Sequence, residues 1–373
     1  MAGIYIHIPF CKQKCTYCNF HFSTSLSQKQ ALLEAIHKEL SLQKDFLNGA
    51  PVDTIYFGGG TPSLLSSEEI NRIFDLIEKS FPLDDLKEFT LETNPDDLNL
   101  TYLQSLRTTP VNRLSIGIQS FQDADLQFMN RAHTAREADY AIKAAQDKGF
   151  ENLTIDLIYG SPQLSNDLWK SHLRKVKELN IPHFSAYALT VEENTLLHHS
   201  IQNKKLPALD QEKAAAQFEI LMNQAEEMHF EHYEISNLAK KNAYAIHNTN
   251  YWKGVPYLGI GPSAHSFNGE ARQWNIANNA LYMESLHSRG KIPFEKETLT
   301  EKDRLNEYLM TSLRTMWGCD LSLIEKRWGA VKEIMKQSEP YLEKNMMVCD
   351  NRKLLLTRKG KLFADKIAGE LFQ

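Results

Sequence analysis

The sequence lacks the features that would commit it to nucleic acid, a membrane or export. Its 373 residues carry a net charge of −5, and no basic tract stands out that would bind nucleic acid. No apolar run approaches the length of a membrane span. The N-terminus has no basic region followed by a cleavable apolar segment, as an export signal would have. We therefore expect a cytoplasmic protein that does not bind nucleic acid.

Cysteine is scarce, and its distribution argues against a disulfide framework. The chain has five cysteines. Cys319 and Cys349 lie near the C-terminus, whereas the other three lie in one short segment near the N-terminus. An odd number with three crowded together is a poor disulfide set. Reduced thiols also agree with the conditions of the cytoplasm.

The three crowded cysteines are the most informative feature that is present. Cys11, Cys15 and Cys18 have the spacing C-x3-C-x2-C and directly follow an apolar, β-branched run. A structural zinc ion takes four ligands, so a zinc site here would need His7 or His21 as the fourth. A four-iron cluster on three thiolates instead keeps one iron open for a small molecule. Thiolates suit both zinc and iron–sulfur clusters, so the cysteines alone do not decide between them.

A glycine run forms the second motif. The residues from Phe57 to Pro62 read F-G-G-G-T-P and end a second β-branched run. Consecutive glycines allow positive φ angles and let the backbone approach a ligand closely. A tight turn between a strand and a helix would explain the run equally well, so this motif is informative only beside the cysteines.

Strand-like and helix-like segments alternate over the first half of the chain. The strand-like runs are residues 3–8, 52–57, 88–92, 113–118, 152–158 and 183–188. Six strand–helix units in succession predict a parallel sheet with right-handed crossovers, and six is fewer than the eight of a complete barrel. We predict an α/β fold with a partial (β/α)6 barrel, and a doubly wound sheet as the alternative. Both folds place functional groups at the C-terminal ends of the strands.

Capping patterns mark the starts of two predicted helices, and the strand–helix alternation ends near the middle of the chain. Ser27 with Gln30, and Ser66 with Glu69, have capping-box spacing, and residues 135–148 and 167–179 have helical patterns. After about residue 200 the alternation stops.

The second half divides into shorter elements. Residues 211–227 are predicted to form a helix, residues 230–235 and 353–357 to form strands, and residues 254–261 are rich in glycine and proline. We predict three regions: a partial barrel with the cluster loop (1–230), an extension or linker (231–299), and a small, mostly helical, winged-helix-like domain (300–373).

The cysteine and glycine motifs together resemble those of the radical S-adenosylmethionine superfamily. That resemblance implies a [4Fe–4S] cluster on Cys11, Cys15 and Cys18, and S-adenosylmethionine chelated to the open iron. The superfamily usually has an aromatic residue before the last cysteine, and this chain has Tyr17 there. The superfamily's glycine-rich turn, which matches residues 58–61 here, holds the methionine amino group. An electron donor for the cluster is implied as well.

Further segments narrow the resemblance to the oxygen-independent coproporphyrinogen oxidase family. The first residues of these segments are Pro9-Phe10-Cys11, Leu91-Glu92-Thr93-Asn94-Pro95, Ser115-Ile116-Gly117, Asn130-Arg131, Ile155-Asp156 and Gly259-Ile260-Gly261. The resemblance implies that Tyr5, Gly59 and Glu92 contact the cluster-bound S-adenosylmethionine. It implies that a further set matches positions that bind a second copy in the oxidase: Tyr17, Gly60, Thr61, Gln119, Arg131 and Asp156.

Two of these acids have a simpler explanation. Glu92 and Asp156 lie at predicted strand ends and could cap the helices that follow. A carboxylate also suits a ribose diol or a sulfonium, and the Arg131 guanidinium suits a carboxylate. We favour cofactor contact for Glu92 and leave Asp156 open between the two.

The chain departs from the oxidase pattern at two places. The oxidases have a fourth cysteine two residues after the third, and this chain has Phe20 there. The oxidases also have a long N-terminal extension, whereas only two residues precede the first predicted strand here. Both differences weaken the prediction of a decarboxylase and of a second S-adenosylmethionine.

One further motif resembles the HemW-type haem chaperones, the non-oxidase branch of the same family. Residues from His247 to Trp252 read H-N-T-N-Y-W, and the segment 261–266 also fits that branch. Histidine is a common axial ligand of haem iron, so His247 is the candidate ligand. Other histidines could compete for this role, and we expect each of them to be structural: His198, His199, His229 and His232.

The resemblance implies a haem chaperone that passes haem to an acceptor haemoprotein, such as one of a respiratory chain. A homodimer and peripheral contact with a membrane are compatible with it. The alternative is a coproporphyrinogen III oxidase, and a third possibility is a radical enzyme with another substrate.

Overall fold

All six predicted strands form, and they are almost completely buried. The computed structural model describes all 373 residues of the chain. Every residue of the fourth strand is buried, as expected for a parallel sheet covered on both faces. The strands are β1 (Ala2–Ile8), β2 (Val52–Gly59), β3 (Glu88–Thr93), β4 (Arg113–Gln119), β5 (Leu153–Tyr159) and β6 (His183–Ala188).

Helices follow the strands and cover the sheet. They are α1 (Lys29–Leu42), α2 (Ser67–Ser80), α3 (Leu100–Leu106), α4 (Asp123–Phe128), α5 (Ala135–Asp147), α6 (Asn166–Glu178), α7 (Leu196–Gln202) and α8 (Gln211–Glu227). The capping box of Ser66 and Glu69 is confirmed at the start of α2. The box predicted at Ser27 is wrong, because α1 begins at Lys29 behind Gln28, without a side-chain cap. The Ser27 hydroxyl hydrogen-bonds with that of Ser25 at 2.9 Å instead.

The order of the strands identifies a partial barrel. Strands β1 to β6 lie side by side in sequence order, and each neighbouring pair is parallel. A doubly wound sheet would reverse its order at a switch point, which this sheet does not do. The sequence-based expectation of a partial barrel is therefore confirmed, and the doubly wound alternative is wrong.

The sheet is wider than six strands, because the segment after α8 adds strands at both edges. The added elements are β7 (Glu231–Glu234), β8 (Asn237–Ala239), α9 (Ile246–Trp252), β9 (Tyr257–Ile260), β10 (His265–Phe267), β11 (Ala271–Asn275), α10 (Asn279–Glu284) and β12 (Phe294–Thr298). The full order is β12-β11-β10-β9-β1-β2-β3-β4-β5-β6-β8-β7. Strand β9 pairs in parallel with β1, so the sheet has a seventh parallel strand that we did not predict.

Strand β9 lies within the glycine- and proline-rich segment, which explains why its pattern is weak. A Cβ atom on Gly259 would lie 2.0 Å from the carbonyl oxygen of His265, so no larger residue fits. The glycine that makes the segment resemble a turn is needed here because two strands approach closely.

The last 75 residues have a core of their own. It contains twelve buried residues, among them Leu309, Ile324, Leu354 and Ile367. The elements are α11 (Glu301–Leu313), β13 (Cys319–Asp320), α12 (Leu321–Trp328), α13 (Val331–Glu343), β14 (Met347–Asp350), β15 (Lys353–Leu356), α14 (Arg358–Lys361) and α15 (Ala364–Glu370). The three short strands pair antiparallel in the order β13-β15-β14, and β15 confirms the strand predicted over residues 353–357. The boundaries at residues 230 and 299 stay predictions.

None of the helices combines the length and the apolar character needed to cross a lipid bilayer.

Candidate functional site

The cysteine loop leaves the carboxyl end of β1 and is held at several points. The Cys11 amide donates to the Ser23 carbonyl at 3.0 Å, and the Thr16 amide donates to the Met129 carbonyl at 3.0 Å. All three thiols are free and half-buried. The Arg131 guanidinium donates to the Cys15 sulfur at 3.3 Å, so a positive charge lies beside the thiols. Together these contacts fix three soft sulfur donors in one loop.

The chemistry of the thiols fits a metal cluster better than a free nucleophile. Burial raises the pKa of Cys11 to about 11, and burial also raises the pKa of Cys18. Without a metal both groups are therefore protonated at neutral pH, whereas a bound metal deprotonates its thiol ligands. No three His, Cys, Asp or Glu side chains converge on a point that would hold a single ion. The thiolates of a cubane each bind a different iron and need no such convergence.

The two histidines of the zinc alternative make other contacts, His7 through both ring nitrogens and His21 through Nε2. His7 Nδ1 hydrogen-bonds with the Tyr5 hydroxyl at 3.2 Å, and His7 Nε2 with the His21 carbonyl at 3.0 Å. His21 Nε2 hydrogen-bonds with Asn279 Oδ1 at 2.7 Å. These bonds hold the His7 ring away from the role of a fourth zinc ligand.

The glycine turn lies at the end of β2, against the base of the cysteine loop. Gly59 has φ of +105°, and a Cβ atom there would lie 2.5 Å from the His7 ring. A Cβ atom on Gly60 would lie 2.5 Å from the Phe10 carbonyl oxygen. The glycines are therefore required by close packing as well as by backbone conformation. Thr61 Oγ1 accepts a hydrogen bond from Asn94 Nδ2 at 3.1 Å, which connects the turn to the end of β3.

Glu92 joins this turn to the interior of the barrel. Its Oε2 accepts from the Gly59 amide at 3.1 Å, and its Oε1 accepts from the Tyr56 hydroxyl at 2.7 Å. Burial raises the pKa of Glu92 to about 7, although the Tyr56 bond lowers it. The Tyr5 ring stacks on Tyr56 with centroids 6.0 Å apart. Tyr5, Gly59 and Glu92, which were predicted as one group, therefore lie together.

The residues predicted for a second ligand gather around Arg131. Its Nη2 donates to Asn94 Oδ1 and to the Gly117 carbonyl, both at 2.7 Å. Its Nε is buried and has no hydrogen-bond partner. An unpaired donor on a buried guanidinium is costly, and an acceptor on a ligand would satisfy it.

Three further residues of that group lie close to Arg131. The charge of Arg131 acts on Tyr17 and on Asp156, and the charge of Asp156 also acts on Tyr17. Burial raises the pKa of Asp156 to about 6, and the hydroxyls and guanidinium around it oppose the rise. Gln119 ends β4 with φ of +65°, a strained conformation for a residue other than glycine. Strain of this kind is common at binding sites.

The helix-capping explanation of the two acids is wrong. Glu92 and Asp156 lie within β3 and β5, not at helix starts. Helix α6, which follows β5, is capped by Ser165. Both residues belong to the strand-end site instead, where they are half-buried.

Comparison with known proteins agrees with this arrangement. A model of the radical SAM superfamily matches residues 5–176, and a model of the HemN C-terminal domain matches residues 299–363. The chain is 32% identical over 374 residues to the heme chaperone HemW of Bacillus subtilis, which covers 99% of this chain and 98% of that protein. It is 31% identical to the HemW of Lactococcus lactis, over 95% of this chain and 93% of that one.

The chain belongs to the HemW family of radical SAM proteins. A mitochondrial radical S-adenosyl methionine domain-containing protein 1 from Danio rerio is also similar, with 31% identity over 85% of this chain and 73% of that protein. Among solved structures, the coproporphyrinogen III oxidase HemN of Escherichia coli has the same fold. Its TM-score is 0.86 at 23% identity, over 100% of this chain and 90% of that one.

The HemW-type motif around His247 lies behind the strand-end site. His247 is buried on α9, with Nδ1 at 2.9 Å from Thr54 Oγ1 and Nε2 at 2.8 Å from the Tyr251 hydroxyl. Burial lowers the pKa of His247 to about 3. Tyr56, which bonds to Glu92, stacks on the His247 ring at 5.1 Å. The motif therefore supports the site from behind, and both ring nitrogens are occupied. That His247 binds haem iron stays a prediction.

Sequence reasoning missed two residues of the site, Tyr56 and Asn94. Tyr56 orients Glu92, and Asn94 links Thr61 to Arg131. Tyr56 lies next to the recognised segment F-G-G-G-T-P and Asn94 within L-E-T-N-P, so their position was a usable signal. Tyr56 was overlooked because β2 is buried on both faces. The sequence of such a strand does not alternate between polar and apolar residues, so no pattern singles out Tyr56.

Proposed function

We propose that this protein is a haem chaperone of the HemW type. It binds haem, carries a [4Fe–4S] cluster with S-adenosylmethionine, and delivers haem to an acceptor haemoprotein. The observation that carries this proposal is the similarity, over nearly the whole chain, to proteins named heme chaperone HemW. Similarity that includes the C-terminal region is more informative than a match to the barrel alone, because barrels of one fold have many functions.

Cys11, Cys15 and Cys18 would hold the cluster. Three thiolates bind three of its irons, and the fourth accepts the amino and carboxylate groups of S-adenosylmethionine. The turn of Gly59 would accommodate the methionine end, since it has no side chains to exclude it. Glu92 and Tyr5 would contact the same molecule, because a carboxylate stabilises a sulfonium or an ammonium.

Tyr17, Gly60, Thr61, Gln119, Arg131 and Asp156 form the second part of this proposed site. The unpaired Nε of Arg131 supports a role in binding a carboxylate, and the half-buried Asp156 a role in binding hydroxyls or a positive charge. Whether they bind a second S-adenosylmethionine or another part of the first is a question for stoichiometry. Equilibrium dialysis of the reconstituted protein measures one or two molecules per chain.

Phe20 favours the chaperone over the oxidase. It occupies the position of the oxidases' fourth cysteine and is 67% exposed, so no thiol is available there. The anaerobic assay follows directly. With dithionite, S-adenosylmethionine and coproporphyrinogen III, we expect no protoporphyrinogen, and its formation would restore the oxidase interpretation.

Anaerobic reconstitution followed by haem titration tests the chaperone itself. We expect about four irons and four sulfides in the cluster, and a Soret band that saturates at a fixed ratio of haem to chain. The loaded protein should then transfer haem to an apo-haemoprotein, followed as a shift of the Soret band. Absence of stoichiometric haem binding by the intact protein would overturn the proposed function.

The remaining partners are part of the same proposal. The acceptor would be a haemoprotein, such as one of a respiratory chain, and an electron donor would reduce the cluster. We place the protein in the cytoplasm, with a homodimer and peripheral membrane contact as further proposals. The free thiols support the cytoplasmic location, and the relationship to HemW supports the proposals as a group. Sedimentation with and without the cluster tests the dimer, and flotation with vesicles tests membrane contact.

A further inference from the structure

A large cavity separates the edge of the sheet from the C-terminal helices. Its volume is about 1190 Å³, above the ~300–1,000 Å³ that is usual for small-molecule pockets. One wall comes from β1 and β9 to β11, and the opposite wall from α11 and α12. Phe20 and His21, just after the cysteine loop, line one side. A ligand in this cavity would therefore lie next to the cluster loop.

The walls of the cavity are suited to a broad, flat, apolar ligand. Large aromatic side chains occur on all sides of it: Phe20, Trp252, Tyr257, Phe267 and Trp328. Phe20 is 67% exposed, so its apolar ring is uncovered at one side of the cavity. Aromatic side chains stack well on a planar ring system.

His265 is the histidine of this cavity with both ring nitrogens free. His7 and His21 also line it, but His7 uses both ring nitrogens in hydrogen bonds and His21 uses its Nε2. His265, at the start of β10, is exposed, and its ring nitrogens have no hydrogen-bond partner in the chain. Its ring lies nearly parallel to the Trp274 ring, 6.2 Å away, which restricts its orientation.

The charged groups around His265 include one guanidinium without an acidic partner. Partial burial and the positive charge of Arg272 lower the pKa of His265, so its imidazole is neutral at neutral pH and has a lone pair to donate. Arg272 forms a salt bridge with Glu307. Arg327, also in the lining, packs over Trp328 and has no acidic partner.

Acidic residues also face the cavity. Glu297, Asp303 and Glu307 line it together with Arg272, Arg304 and Arg327. Arg304 bonds to Glu301 on its own helix at 2.9 Å. Because Arg272 and Arg304 already have acidic partners, Arg327 is the guanidinium with free capacity for a carboxylate.

We propose that this cavity is the haem site, with His265 as an axial ligand of the iron and Arg327 as a partner of a propionate. This inference rests on the proposed function and deepens it by naming the site. It differs from ligation by His247, whose two ring nitrogens are occupied by Thr54 and Tyr251. Haem would lie against Phe20, so the state of the cluster loop could influence how firmly haem is held.

Ferric haem titration of the full chain and of three variants tests this site. His265→Ala should weaken haem binding by at least ~10-fold and change the Soret position, because the iron loses a protein ligand. Added imidazole should restore the spectrum of the His265→Ala variant. Arg327→Glu should weaken binding by about 3- to 10-fold without changing the Soret position, since it affects a propionate and not the iron. His287→Ala, at an exposed histidine outside the cavity, should have no effect.

The outcomes separate this inference from the function. If the wild-type protein shows no stoichiometric Soret band, the proposed function fails and this inference with it. If the wild type binds haem and His265→Ala binds it with the same affinity and spectrum, the function stands and the assignment of His265 is wrong. Loss of ligation only in His247→Ala, with intact far-UV circular dichroism, would assign the iron to His247 instead.

Discussion

The strand-end site and the C-terminal cavity are built in opposite ways. At the strand-end site, Gly59, Glu92 and Asp156 come from the parallel strands β2, β3 and β5 of one sheet, in which neighbouring strands follow chain order. In the cavity, His7, His265 and Arg327 come from parts of the chain that are separated by tens to hundreds of residues. The first site follows from the local order of the chain, and the second follows from how two cores pack.

The two sites also differ in their chemistry. The strand-end site contains half-buried carboxylates and an unpaired guanidinium nitrogen, in a setting that binds a small charged molecule. The cavity has aromatic walls and a histidine with free nitrogens, which suits a large planar molecule. In the proposed function, these two sites would hold two cofactors side by side, with Phe20 at the boundary.

The largest expected effect is the loss of cluster iron in a cysteine variant that still binds haem. Cys15→Ser should reduce the iron of the cluster from about four per chain to below about one, because a hydroxyl is a poor ligand for this cluster. Haem binding should persist, since the cavity does not contain Cys15. Chemical iron and sulfide assays measure the first effect, and the Soret band measures the second.

Cys349→Ser is the matched control, because Cys349 is an exposed cysteine far along the chain. It should keep the full cluster. Equal loss of iron in both variants would contradict the assignment of the cluster to the N-terminal loop.

A pH profile tests the edge of the sheet that borders the cavity. Glu39 of α1 accepts hydrogen bonds from the Gly261 amide and from Asn275 Nδ2, and so holds this edge to α1. Burial raises the pKa of Glu39 from 4.5 to about 7. An acid with a raised pKa in the folded state penalises folding once it must ionise. The contribution of Glu39 to the free energy of unfolding should therefore fall by ~3 kcal/mol between about pH 4.5 and pH 7, and level off above pH 7.

Glu39→Gln should remove that part of the pH dependence, because an amide does not ionise. Urea unfolding of both proteins between pH 5 and pH 8 measures the difference. S-adenosylmethionine affinity should change little, since Glu39 is not part of the strand-end site. Parallel profiles for the two proteins would show that Glu39 keeps an ordinary pKa.

Gly60→Ala tests the close packing of the strand-end site. The added Cβ would meet the Phe10 carbonyl oxygen, so we expect a loss of ~1–3 kcal/mol in the free energy of unfolding and weaker S-adenosylmethionine binding. Gly369→Ala is the control, because a Cβ there meets nothing within 4 Å. Chemical denaturation that gives both variants the same stability would contradict the proposed contact.

The smallest expected effect is that of Tyr56→Phe. The variant removes the hydroxyl that donates to Glu92, so the pKa of Glu92 should rise and less carboxylate should be ionised at pH 7. We expect S-adenosylmethionine to bind about 3- to 10-fold more weakly, in line with the loss of ~1 kcal/mol for one hydrogen bond. Isothermal titration measures it. Tyr102→Phe, which loses a bond to the Leu65 carbonyl away from Glu92, should bind normally.

Much of the fold was predictable because its signals are local. The six strands, the Ser66 capping box and helix α5 follow from residues that are neighbours in sequence. Strand β9 was missed because the glycine that permits close packing is also a turn signal. The box at Ser27 was predicted wrongly, because the serine hydroxyls of that segment bond to one another instead of to the helix.

The candidate sites divide in the same way. By itself, the sequence determined the loop of three cysteines, the glycine turn and the polar residues at the strand ends, because chain order along a parallel sheet places them at one edge. Only the tertiary structure decided that both nitrogens of His247 are occupied and that those of His265 are free. The physical reason is that hydrogen-bond partners and cavities depend on segments distant in sequence, whose packing no local pattern records.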